Sequence, residues 1–160
     1  MADALTAGAV RQVAMPPDAR SLSTLPRVDY EDAFLVPLEA ADDRTAEQWA
    51  RAILEDAPIA VRSALTSTWH TLGLRLGSPL SERHVLGWEV RRSDRDVVLL
   101  GARSRVGMPA ELLVRLEPRT LLFATFVQFE NPLARTVWAG VEPMHVRVVP
   151  RMLERGRAAA

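Results

Sequence analysis

The chain has 160 residues, enough for one domain with a single core, and its 48% hydrophobic and 25% charged content is that of an ordinary globular protein. Twenty basic residues, every one an arginine, balance twenty acidic ones, so no net charge draws the chain to nucleic acid or to an anionic membrane. With no cysteine, disulfides, thiolate catalysis and cysteine-ligated zinc or iron–sulfur clusters are excluded. Apolar runs fall short of a membrane span, and the chain does not start with a basic-then-apolar leader, so a cytoplasmic location with no membrane partner is expected.

Residues 1–26 hold "MPPD" and "STLPR" and keep no sustained period, which predicts a flexible arm, with Leu22 or Leu25 as its points of contact, ahead of a single domain at 27–156. "VDYEDAFLVPL" sets Tyr30, Phe34 and Val36 against Glu31, the alternation of a strand ending near Pro37. The polar loop "EAADDR" follows. Thr45 and Gln48 have capping-box spacing and open a helix with Trp49 and Ile53 on one face. That helix stops at Pro58, which suits the start of a second. Val61, Leu65, Trp69 and Leu72 form the second helix's apolar stripe, and Gly73 fits its C-terminal cap.

From His84 the period becomes two. Leu86, Trp88 and Val90 alternate with Gly87, Glu89 and Arg91 in one predicted strand; Val98, Leu100, Ala102 and Val106 share a face of the next. Leu112, Val114 and Leu116 oppose Glu111, Arg115 and Glu117, and Thr120 to Phe129 is mostly apolar. The turns "SDRD", "GMP" and "PR" are short, so the strands form an antiparallel meander with one face buried. At 100° per residue, Ala134, Trp138, Val141, His145, Val148, Val149 and Met152 fall in one apolar sector of a C-terminal helix over 133–155. Pro143 and Pro150 lie on the opposite side, where they bend a helix around its core. Asn131 and Pro132 stand where a cap and a first-turn proline belong.

The order strand, two short helices, antiparallel meander and long curved C-terminal helix is that of the START-like (SRPBCC) helix-grip superfamily, an α+β fold. The chain resembles a family of uncharacterised bacterial proteins within it through "DYEDAF" at 29–34, "GLRLG" at 73–77 and the pattern Asn131, Arg135, Trp138, Pro143, His145. The resemblance covers roughly residues 27–155, and the all-arginine, Ala- and Val-rich composition fits a GC-rich bacterial coding sequence. Five clear strands are legible here, fewer than in the larger members of the superfamily. The resemblance implies a cavity between sheet and C-terminal helix that holds an apolar ligand or hosts cyclase, aromatase or dehydratase chemistry. It supplies no catalytic residue.

His145 has two readings. As a packing residue it is tied to a backbone carbonyl or to Glu142; as a cavity group it bonds a ligand or moves a proton. One histidine without a second polar partner favours packing. "EPMH" puts Glu142 and His145 on one helix face, but a di-iron site needs two such motifs, and His70 and His84 lack ligand spacing, so no metal is expected. With no nucleophile motif and no phosphate-binding glycine loop, no cofactor is expected either. Arg91, Arg92, Arg103 and Arg105 read as a solvated sheet face balanced by Glu89, Glu111 and Glu117, or else as an anion patch. The leading functional expectation is binding of a small hydrophobic molecule by Trp88, Phe123, Thr125, Trp138, Val141 and His145. A cyclase- or dehydratase-type enzyme, with Thr125 partnering His145, comes second, and a protein-interaction module with a filled core third.

Overall fold

The structure, a computed structural model, describes residues 8–39 and 42–159. In chain order these form β1 (Arg11–Val13), α1 (Pro17–Arg20), β2 (Tyr30–Pro37), α2 (Ala46–Leu54), α3 (Ile59–Thr71), β3 (Leu74–Arg75), β4 (His84–Val85), β5 (Trp88–Ser93), β6 (Val97–Ser104), β7 (Ala110–Glu117), β8 (Thr120–Val127) and α4 (Pro132–Ala158). The fold is α+β. Its strands make one open antiparallel sheet in the order β1-β2-β8-β7-β6-β5-β4, with β3 added beside β6. Among the described residues no helix is long and apolar enough to cross a membrane.

Helix boundaries follow local chemistry. Thr45 Oγ1 accepts from Gln48 N while Gln48 Oε1 accepts from Thr45 N, so both halves of the capping box are present. Gly73, at φ +80, lets the chain leave α3 for β3. Asn131 caps α4 by accepting from Ala134 N, with Pro132 next. Pro143 and Pro150 both lie inside α4, which runs on past 155 to Ala158.

Strand register sorts the sheet's two faces. Asp32, Thr125, Leu112, Leu100 and Val90 are aligned across β2, β8, β7, β6 and β5 on one side, and Phe34, Phe123, Val114 and Val98 form the row beside them. The helices cover this face, in one core with Trp49, Ile53, Leu54, Val149, Met152 and Leu153. Gly156 brings α4 against α2, since a Cβ there would lie 2.9 Å from Ile53 Cγ1.

The other face is also covered, and this corrects two expectations. Within the segment expected to be an arm, residues 11–13 pair with β2, and Val13, Met15, Leu22, Leu25 and Val28 pack on Leu99, Leu113, Leu122, Ala124 and Phe126. Those five sheet residues are apolar positions on the face turned away from the helical core and need a cover, and the N-terminal segment is what lies over them. Residues 1–7 of the arm lie outside the described residues, as do 40 and 41 of the loop after β2. Nor is Glu111 on a solvated face: it is fully buried and paired with Arg91.

The strand expected to start at His84 is a hairpin instead. Val85 pairs with Trp88 across a two-residue turn, Leu86 and Gly87, both at positive φ (47 and 92). That is the turn geometry that suits the strands' right-handed twist.

Candidate functional site

α3 carries its apolar stripe but none of its residues is fully buried. The reason is what lies beneath. Val61, Leu65, Trp69 and Leu72 roof a cavity of about 400 Å³ rather than a filled core. The floor comes from β5, β7 and β8, and the far wall from α4. Ala64 and Thr68 of α3 and Met144 and Val148 of α4 line it while remaining solvent-exposed, so its mouth lies between these two helices. Recesses elsewhere, such as the one among Arg44, Arg95 and Arg119, are rimmed by charged loop side chains.

All six residues expected at the site line this one cavity, Trp88, Phe123 and Thr125 from its floor and Trp138, Val141 and His145 from its far wall. Strand parity puts Phe123 and Thr125 on the inner face of β8. Helical spacing stacks Trp138, Val141 and His145 along α4. Trp88 meets Trp69 edge-on, with ring centroids 5.5 Å apart, joining the floor to the roof.

The partner of His145 is neither Glu142 nor Thr125. Its Nε2 lies 2.9 Å from Asp32 Oδ2, at ion-pair distance though not aligned as a hydrogen bond. Tyr30 donates its hydroxyl to the same carboxylate oxygen at 2.6 Å. The Tyr30 ring packs on Trp138 at 4.8 Å, and Trp138 on His145 at 5.1 Å. Burial, then the hydrogen bond to Asp32 and its charge, hold the Tyr30 phenol well above its ordinary value of 10.0, with Glu142 adding to the shift. Asp32 is only 4% exposed and sits behind His145 rather than on the cavity wall.

Asp32 and Tyr30 were missed as site residues, and the signal was present. Asp32 falls between Tyr30 and Phe34 on the inward parity of β2, so a carboxylate was due on the core face. Other polar atoms lining the cavity have no partner among the described residues: Thr125 Oγ1, Trp88 Nε1 and Trp138 Nε1 are buried and unbonded there. Native interiors leave few such groups. The arginines expected together are divided: Arg91 pairs with Glu111 at 3.1 Å and Arg92 with Asp94 at 2.7 Å, while Arg103 is exposed at the far end of β6.

The fold and site together define an α+β protein whose antiparallel sheet and long C-terminal helix enclose an apolar cavity with one polar end. Comparison of the chain with family models, curated proteins and solved structures finds no match.

Proposed function

We propose that the chain is a START-like helix-grip protein that binds a small, largely apolar molecule in the cavity beneath α3 and α4. The observation that carries this reading is the cavity itself: about 400 Å³, walled mostly by apolar side chains of α3, α4 and the sheet, within the size range of small-molecule sites. An interaction module with a filled core has no use for such a space. A cytoplasmic location fits a chain without cysteine. The contact between Asp32 and His145 favours a second reading, a cyclase- or dehydratase-type enzyme in the same cavity, because a carboxylate behind an imidazole can hold it oriented as a base.

Native mass spectrometry of the purified chain, with a titration of the neutral fluorophore phenylnaphthylamine, tests the binding reading. Val141→Trp should fill the cavity, abolish fluorophore binding and leave the melting temperature level or higher. Equal binding by wild type and Val141→Trp would place the fluorophore elsewhere and remove the reading.

A further inference from the structure

α3 differs from α2 and α4 in how it is held. Arg51 of α2 donates to the carbonyls of Glu82 and His84. Asn131 at the head of α4 donates to the Val106 carbonyl, and Glu154 near its end accepts from Val10 N. Among the described residues, none of α3 hydrogen-bonds or ion-pairs beyond the stretch 58–73, and none is buried. The chain on either side is fixed. Leu54 and Ala57 are buried before the helix; after it, the Gly73 carbonyl accepts from Arg105 N at 2.7 Å and Leu74 pairs with Ser104. Between these anchors the backbone turns at Pro58, which caps α3 without a side-chain bond, and at Gly73, whose φ is +80.

The inner stripe of α3 has little to grip. Val61, Leu65, Trp69 and Leu72 face the cavity, and side chains over an empty space forgo the dispersion contacts of a filled core. The edge-on meeting of Trp69 with Trp88 fastens this roof to the sheet. We propose that α3 is the lid of the cavity: it lifts away from α4 about Pro58 and Gly73 to admit the ligand, then closes over it with Trp69 as the latch. The inference rests on the binding function proposed above and adds the route of entry. Elements with the fewest ties open first, and lifting α3 breaks no hydrogen bond to another element among the described residues. The lid parts at the mouth, between Ala64 and Thr68 on one side and Met144 and Val148 on the other. A bound apolar molecule gives the stripe the contacts it lacks only when the helix is down, so binding shifts α3 towards closure.

The test is the rate at which the full chain takes up phenylnaphthylamine, followed by stopped-flow fluorescence. The chain has no cysteine, so the double variant Ala64→Cys/Val148→Cys carries one thiol on each side of the mouth, both at exposed positions. Tying the two with a short bis-maleimide should slow uptake roughly tenfold or more, compared with the same variant capped by N-ethylmaleimide, which adds similar bulk without a tie. Tying after loading should slow release alike. Equal rates in tied and capped chains overturn the lid while leaving the cavity a binding site. No uptake by any form, wild type included, overturns both. Trp69→Ala, which unfastens the latch, should speed uptake and release together, whereas a residue that only touches the ligand changes release alone. Uptake that is unchanged or slower in Trp69→Ala overturns the lid, and this variant decides alone if the two thiols cannot be bridged. Should Trp69→Ala fail to fold, the tied pair decides.

Discussion

Arg91 reaches Glu111 by crossing the strand that separates them. Arg91 is on β5 and Glu111 on β7, and Gly101 of β6 lies in register beside Glu111. A Cβ on Gly101 would sit 2.1 Å from the Arg91 guanidinium, so the crossing needs a glycine at this point. A register shift between Val90 and Arg92 marks a bulge at Arg91, the usual device for re-aiming a strand side chain. Glu111 also accepts from Ser23 Oγ at 2.5 Å and from Thr24 N at 3.0 Å. One buried carboxylate therefore ties β5, β7 and the N-terminal segment together.

Gly101→Ala should push the guanidinium aside rather than jam the sheet, because the clashing group is the far end of a flexible side chain. The expected cost is that of the lost pair, about 1–3 kcal/mol, measured by chemical denaturation. Arg91→Met should cost a similar amount, and the double variant no more than either single change. Full additivity would show that Gly101 serves something other than this crossing. Glu111→Ala should cost more, about 3–5 kcal/mol, since it strands donors from two segments.

Removing the N-terminal segment should be harmful in two stages. Deleting residues 1–20 takes away β1 and α1 and removes Val13, Met15 and Ala19 from the apolar cluster on this face. A fall in melting temperature on the order of 10 °C is expected for the few kcal/mol of burial lost. Deleting 1–26 also strips Glu111 of Ser23 and Thr24, and this chain should aggregate or unfold. A midpoint unchanged in both would mean that the segment only rests on the sheet.

Tyr30 is the chain's one tyrosine, so the tyrosinate absorbance reports on it alone. Its phenol is raised above 10.0 in the fold and returns there on unfolding. Its contribution to stability is therefore whole below about pH 10 and is lost as pH rises beyond, because the unfolded chain gives up the proton first. Alkaline titration should show ionisation coinciding with unfolding. Asp32→Asn should bring the midpoint down, though not to 10, since burial is the larger cause and remains. An ordinary midpoint in folded wild type would contradict the buried Tyr30–Asp32 bond.

Trp138 and Pro143 lie five positions apart on α4 with opposite surroundings. Trp138 is buried against Tyr30, whereas Pro143 faces solvent. Trp138→Ala should cost about 3–5 kcal/mol by enlarging the cavity. Pro143→Ala should change stability by no more than about 2 kcal/mol, because the regained helix bond offsets relief of the bend. Denaturant midpoints check both, and the reverse order would misplace the inward face of α4.

By itself the sequence determined much of the local structure and the composition of the cavity wall. Thr45 and Gln48, Gly73, and Asn131 with Pro132 mark helix ends because caps act through bonds to neighbours three or four residues away. Alternation on β5 and β8 and the spacing of Trp138, Val141 and His145 sorted inward from outward, and so gathered six residues from three elements around one cavity. Periodicity says which face a side chain is on, however, and not what covers that face. Nothing within β7 tells whether Glu111 meets water or the Ser23–Thr24 turn, and the three residues of β1 are too few to show a period. Nor does the chain reveal that Asp32 meets His145: 113 positions separate them in sequence, and only the docking of α4 across β2 brings them to 2.9 Å. The cavity was likewise decided in three dimensions. The stripe on α3 is the same whether it seals a core or roofs a space, and the distance at which the helix is held from the sheet depends on packing between elements that no local pattern encodes.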